Sequence, residues 1–335
     1  MGICRGTLKL VADEQLSQGF SKAFLRQMFG LTSVPANGIT IATTAHEFDH
    51  LAQHYTAGAS ISGVQRKLLM NLEHDTLVPV PTGGQFIVKP APPTLKYLPE
   101  NEHAMMNLAR AVGFQVAHCA VLPFQDGELG YVVKRFDMLP NGQRLFIEDG
   151  ASLCNVHPKN KGSDSLSYER TLIKLYEAAG KKMPVLLNGF RQVLFAYLIG
   201  NNDLHLKNFA MYRRPDVRST TMVDFTPLYD VLSIFPYPDY HGDYLTLSLL
   251  ESEVHGNFSP EYNVYGYYTQ FDFIQLGINI GLNKKAATTF VQRLTDDLEK
   301  HLAHYLRASA MPPLMVAIMQ KEISARISCM RRQPI

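Results

Sequence analysis

The stretch GNNDLHLKNF, residues 200–209, decides how this chain is read. It follows VLLNGFRQVLFAYLI (185–199), a run so apolar that a helix built from it must be buried on most sides. It precedes FAMYR (209–213), which with TTMVDF (220–225) reads as a short hairpin. The polar loop between them holds Asp203 and Asn208 five residues apart, and Asp230 follows the hairpin in LYDVLS. Phosphoryl transfer needs these residue types: a carboxylate to orient or deprotonate the attacking hydroxyl, and oxygen ligands to hold Mg²⁺ against phosphates. The Asp-to-Asn interval is that of a kinase catalytic loop, and a carboxylate after a hairpin is where such enzymes keep their second metal ligand. An isolated Asp and Asn would merely cap a helix end; three elements in order favour the chemical reading.

Outward from this loop, residues 167–179 and 184–199 read as helices, and three helical stretches follow Pro260: 260–280, 284–307 and 313–330. Upstream the character changes. QFIVK (85–89) reads as a strand, and the prolines of APPTLKYLPE (91–100) predict irregular chain. Asn101 then caps a helix running to about Ala111, with Gly113 ending it and Met105, Leu108, Ala109 and Val112 on one face. HCAVL (118–122) and YVVKRFDM (131–138) read as strands joined by a turn at Gln125–Gly127. Residues 1–59 give no clear pattern. The expectation is a two-lobed α+β fold of protein-kinase type: a small β-rich N-lobe over 1–138 and a larger helical C-lobe over 139–335, joined at DMLPNG (137–142).

Two further patterns matter. Lys89 ends a predicted strand and Glu102 lies early in the next helix; a strand lysine clamped to a helix carboxylate aims a cation at the α- and β-phosphates of a nucleotide. SISG (60–63) reads equally as a phosphate-covering turn or as an ordinary serine-rich turn. Against these stands His46-Glu47-Phe48-Asp49-His50, an H-E-x-x-H match with His54 beyond it. Zinc chemistry there would need both histidines on one helical face. The β-branched run before it and the lack of a glycine-containing extension favour a plain amphipathic helix.

Composition narrows the classes. The chain has 335 residues, 46% apolar and 19% charged, with a net charge of +2 and no basic block, so direct strong nucleic-acid binding is not expected. Its four cysteines form no C-x-x-C pair, which argues against a metal knuckle or disulfide framework. No signal peptide and no apolar run of membrane length are read, so a cytoplasmic, membrane-free location is expected. Trp is absent, although there are 16 Tyr and 18 Phe.

Six blocks in order, SISGVQRKL, FIVKP, NEHAMMNLARAVG, VVKRFD, GNNDLHLKNF and PLYDVLS, resemble the HipA kinases, serine/threonine kinase toxins of bacterial type II toxin–antitoxin systems. The resemblance runs from Ser60 to Pro238, with a weaker helical remainder. The 59 residues before Ser60 are fewer than the family's N-terminal subdomain, so the chain resembles the short form, HipT, whose missing subdomain is the separate protein HipS. The resemblance implies ATP and Mg²⁺ as cofactors. It implies Asp203 as catalytic residue, with His205 in the same loop, and Asn208 and Asp230 as metal ligands. Lys89 would bind nucleotide phosphate, and Lys134, Phe136 and Asp137 would hold adenine and ribose. Ser60, Ser62 and Gly63 would cover the phosphates, with Ser60 or Ser62 autophosphorylated. Lys134 stands where longer members carry glutamate, so its part in adenine binding would run through the backbone or be lost. The segment around Cys154 also diverges. The implied partners are HipS-like and HipB-like antitoxins, DNA only through the latter, and an aminoacyl-tRNA synthetase as substrate. The absence of Trp favours the tryptophanyl enzyme, since a toxin free of Trp codons is still translated when charged tryptophanyl-tRNA runs out. The rival readings are a phosphoinositide-like lipid kinase, from the D-x-H-x-x-N loop, and an inactive kinase fold serving as co-repressor.

Overall fold

The computed structural model describes residues 1–56, 66–240 and 244–333, with side chains not described at 54–56 and 240. The chain divides into two compact units. The first comprises Met1–Phe136 with His304–Val316, the second Asp137–Ala303 with Ala317–Ile335. Among the described residues no helix is long and apolar enough to cross a membrane.

The first unit is built on a six-stranded sheet: β1 (Thr40–Ile41), β2 (Leu68–Glu73), β3 (Thr76–Pro79), β4 (Phe86–Lys89), β5 (Cys119–Pro123) and β6 (Leu129–Lys134), in the order β1-β3-β2-β4-β6-β5. Only β1–β3 is parallel; the other pairings are antiparallel. The period-two alternation of strands puts Leu68 and Met70 of β2 and Phe86 and Val88 of β4 into one core. Helix α1 (Lys22–Phe29) adds Phe24, Leu25 and Met28, and α2 (Phe48–Thr56) adds Phe48, which meets Phe124 edge-on. A third helix, α3 (Leu98–Ala111), packs on β5 and β6.

Helix α3 is capped at Tyr97, four residues before the cap its sequence suggests. Tyr97 takes a left-handed conformation at its N-cap, and Pro99 sits in the first turn, where a missing N–H removes no helical bond. Pro99 therefore starts the helix rather than excluding it, while Pro92 and Pro93 lie in irregular chain as expected. The expected face of Met105, Leu108, Ala109 and Val112 is buried, and the burial extends beyond it. Every residue from Leu98 to Ala109 is buried, including Glu100, Asn101, Glu102, His103 and Asn107.

The zinc-type pattern resolves into a helix start. Helix α2 begins at Phe48, so His46 lies in the turn before it and does not share a helical face with His50. Thr44 and Glu47 cap that turn: the Thr44 hydroxyl donates to Glu47 Oε2 at 3.0 Å and accepts from the Glu47 N–H at 3.1 Å. Among the described residues, no three His, Cys, Asp or Glu side chains gather in a metal-binding group.

The second unit carries a three-stranded antiparallel sheet, β7 (Phe146–Asp149), β8 (Ala210–Arg213) and β9 (Asp224–Phe225). Around it stand helices α4 (Tyr168–Ala178) and α5 (Met183–Ile199), followed in sequence by α6 (Pro260–Tyr265), α7 (Gln270–Asn279), α8 (Lys284–Arg307) and α9 (Pro313–Cys329). The last turn of α8 and the first of α9 belong to the first unit. Helix α5 is buried continuously from Val193 to Ile199, as its hydrophobicity demands. The stretch 260–280 is two helices, not one. Gly266 takes φ +72° and ends α6, and Thr269 with Asp272 forms the capping box that starts α7. Without tryptophan, this core is filled by rings such as Tyr197, Tyr268 and Phe273. The Arg326 guanidinium lies 4.5 Å from the ring centroids of both Tyr197 and Tyr244.

Candidate active site

Helix α5 ends at Gly200, whose φ of +69° lets the chain reverse; a Cβ there would also strike the Phe235 ring. The loop that follows is held by its own polar groups. Asp203 N–H donates to Asn201 Oδ1 at 3.2 Å. The Asp203 carbonyl accepts from His205 N–H at 2.8 Å and from Asn208 Nδ2 at 2.7 Å, and Asn208 N–H returns to the His205 carbonyl at 2.9 Å. Surrounding elements hold the same loop from outside. Tyr168 Oη of α4 donates to the Leu204 carbonyl at 2.8 Å, and Tyr229 Oη donates to that of Lys207 at 3.1 Å. Thr246 Oγ1 donates to the Asn202 carbonyl, and the Lys161 carbonyl accepts Leu206 N–H at 3.0 Å. The backbone is thus fixed, and Leu204, His205 and Leu206 are buried. The Asp203 carboxylate is 60% exposed. An exposed carboxylate on an immobilised loop is the form a hydroxyl-orienting base requires.

His205 Nε2 lies 3.7 Å from Asp203 Oδ1, beyond hydrogen-bond reach, and 2.5 Å from Lys161 Nζ. Its Nδ1 is buried without a partner among the described residues. Burial lowers the His205 pKa, opposed by the charge of Asp203 and, more weakly, Asp230. Asp230 is held at φ +53°. Burial, with the Asp230 charge beside it, raises the Tyr229 phenol well above its ordinary pKa, so it remains a donor.

The donor chemistry fits Mg²⁺. Asn208 donates its amide N–H to the loop and keeps a carbonyl oxygen, and Asp230 supplies carboxylate oxygens; both are the hard ligands this ion takes beside phosphate.

In the first unit, Lys89 Nζ lies 2.9 Å from Glu102 Oε1, with the two side chains 7% and 1% exposed. Lys89 pairs across the sheet with Tyr131 and its ammonium sits 5.3 Å from that ring's centroid. The Lys134 side chain instead reaches the Gln27 carbonyl in the last turn of α1 at 2.6 Å, and burial lowers its pKa. Its backbone N–H is taken by the His118 carbonyl at 2.8 Å. Phe136 is half-buried, and the Asp137 carbonyl accepts Leu145 N–H at 2.8 Å. Ser60, Ser62 and Gly63 lie outside the described residues.

Sequence reasoning missed Lys161, Tyr168, Tyr229 and Thr246. Tyr229 stands inside PLYDVLS without a role read for it, the other three belong to no motif, and each side chain meets the loop from 22 or more positions away in sequence. Lys161 lies in HPKNKGSDS, where a solvated lysine and a site lysine look alike.

Residues 59–302 match the model of the HipA-like C-terminal domain, and the chain belongs to that family. It is similar to a Haemophilus influenzae protein named "Putative kinase", 29% identical over 327 residues, covering 93% of this chain and 92% of that protein. It is also similar to "Serine/threonine-protein kinase toxin HipA" of Shewanella oneidensis, 25% identical over 212 residues, 58% of this chain and 46% of that protein. Among solved structures, a chain of the Shewanella oneidensis MR-1 toxin–antitoxin complex of HipA, HipB and operator DNA superposes with a TM-score of 0.67 at 20% identity. That match covers 98% of this chain and 85% of that one, and the likeness establishes a HipA-type, kinase-like α+β fold.

Proposed function

We propose that the chain is an ATP-dependent serine/threonine protein kinase of a toxin–antitoxin system. The observation that carries this reading is the exposed Asp203 carboxylate on a loop whose backbone is held by hydrogen bonds. In this reading residues 1–138 are the nucleotide-phosphate lobe and 139–335 the catalytic lobe. Asp203 orients the acceptor hydroxyl and takes its proton. Asn208 and Asp230 would hold Mg²⁺, and Lys89, aimed by Glu102, would meet the α- and β-phosphates. ATP with Mg²⁺ supplies the phosphoryl group and neutralises its charge when bound. The Lys134 side chain, tied to Gln27, leaves Phe136 and Asp137 as the adenine and ribose contacts. Catalysis of this kind is positioning plus charge neutralisation.

The finer reading follows the family. A HipB-like DNA-binding antitoxin is the partner, as in the Shewanella complex, and a HipS-like protein is a second one. The substrate is an aminoacyl-tRNA synthetase, favoured as the tryptophanyl enzyme by the absence of Trp. Autophosphorylation at Ser60 or Ser62 would place a phosphate of about −1.5 to −2 charges beside the triphosphate and weaken its binding. The test is incubation of the purified chain with γ-labelled ATP, Mg²⁺ and a bacterial lysate, followed by identification of the labelled protein. The expected result is transfer to a serine of one synthetase, abolished by Asp203→Ala. Undiminished transfer by that variant would refute the assignment.

A further inference from the structure

Lys161 is brought to the catalytic loop from outside any motif. Its carbonyl accepts Leu206 N–H at 3.0 Å, and its ammonium sits 2.5 Å from His205 Nε2. The segment lies flush on the loop: a Cβ at the next residue, Gly162, would come 3.1 Å from Thr246 Cγ2 and 3.9 Å from His205 Cβ. An ammonium has three donors and no acceptor, so Nε2 must be the acceptor and the ring proton sits on Nδ1. An imidazole occupied in this way is not available as the base for a substrate hydroxyl.

The charges decide the rest. Lys89 faces a carboxylate at 2.9 Å. Lys161 is held instead by a ring nitrogen. The same ring nitrogen has the Asp203 carboxylate 3.7 Å away. A half-buried cation held beside the base by a ring nitrogen is placed where negative charge develops in phosphoryl transfer.

We propose that Lys161 is a phosphate-contacting cation of this site, acting on the oxygens of the transferring phosphoryl group, and that His205 is the positioning residue that holds it there. The proposal rests on the kinase reading above. In the step concerned, the acceptor hydroxyl oxygen forms a bond to the γ-phosphorus as the bond to the β–γ bridging oxygen breaks. The hydroxyl proton passes to Asp203, and ADP leaves with the electron pair of the broken bond. Lys161 exchanges no proton; its charge stabilises the equatorial oxygens throughout.

The test compares the full chain with Lys161→Met and Lys161→Arg. Transfer from γ-labelled ATP into lysate protein is followed together with calorimetric binding of Mg·ADP and of a non-hydrolysable ATP analogue. Lys161→Met is expected to slow transfer about 10²–10³-fold. It should weaken the analogue about tenfold and leave ADP affinity within about twofold, because only the γ-phosphate contact is lost. Lys161→Arg should restore most of the analogue binding. His205→Ala should slow transfer to a similar degree, with no further loss in the double variant, since the two residues act as one unit. Transfer by Lys161→Met at the wild-type rate, or equal loss of ADP and analogue binding, would overturn the proposal. The second result would mark a structural lysine. A wild-type chain that neither binds Mg·ADP nor transfers phosphate would instead overturn the kinase reading, and this proposal with it.

Discussion

Helix α3 of the first unit and the loop over 200–209 of the second both place polar side chains among apolar neighbours, and they do so in opposite ways. Helix α3 takes its charges inside: Glu102 pairs with Lys89, and His103 Nε2 and Asn107 Nδ2 both meet the Gly6 carbonyl, at 3.0 and 3.2 Å. The loop buries backbone instead and turns its carboxylate outward. Polar groups inside a fold must be matched to hold it together, whereas a group meant for a ligand is left reachable on a frame that does not depend on it. The contrast makes Glu102 and Asp203 differ in a measurable way, although both are acidic residues at the centre of a predicted site.

The largest effect is expected at the buried pair. Glu102→Gln leaves the Lys89 ammonium enclosed without its counter-charge, a change of about 3–5 kcal/mol in stability. Urea unfolding followed by far-UV circular dichroism measures it, with hydrogen exchange across α3 locating the loss in the first unit. The paired replacement Lys89→Met with Glu102→Leu removes both charges and should recover most of the loss. A Glu102→Gln chain as stable as wild type would erase the distinction between the two regions.

How much of this was legible in the sequence follows the same division. Strand QFIVK and the helix after it place Lys89 and Glu102 only 13 residues apart, so local pattern is enough to suggest their meeting. The order of the loop, hairpin and Asp230 was readable for the same reason: each element is short and bounded by turn residues. The burial of Glu100, Asn101 and His103 was not readable, because their partners, Gly6 among them, come from a segment with little periodicity of its own. Lys161 was invisible for a related reason. It is 44 residues from His205, and only the tertiary path of the chain joins them. The start of α3 was misread because proline was taken as a breaker, when its position in the first turn made it compatible with the helix.

A smaller effect, still within α3, appears as pH dependence. Burial pushes the Glu100 carboxyl up to about 7 and pulls the His103 imidazole down to about 4. Glu100, raised in the folded state, contributes stability below its unfolded pKa, near 4.5, that is lost as pH rises toward 7. His103, depressed in the folded state, contributes stability above its unfolded value, near 6.5, that is lost as pH falls toward 4. The two slopes oppose each other between these limits. Glu100→Gln removes only the falling one. Relative to wild type the variant should therefore gain about 1–3 kcal/mol from pH 4.5 to pH 7, measured by urea unfolding at fixed pH values. A difference that does not change with pH would mean that Glu100 is hydrated in solution and that α3 is less closed than the buried side chains imply.

The smallest effect on stability is expected at the most important residue of the loop. Asp203→Ala truncates a side chain that is 60% exposed, so any ion pair it makes is screened by solvent and of little net worth. The bonds that order the loop around it use its backbone: its N–H on Asn201, and its carbonyl receiving His205 N–H and Asn208 Nδ2. All of these survive removal of the carboxylate, as do the bonds from Tyr168 and Tyr229 to the neighbouring carbonyls. Stability should therefore stay within about 0.5 kcal/mol of wild type while phosphate transfer is abolished. Thermal unfolding by circular dichroism and the transfer assay, run on the same preparation, decide it together. A loss of more than about 1 kcal/mol would show that the carboxylate helps to hold the loop, and the inactive variant could then no longer be read as missing only its base.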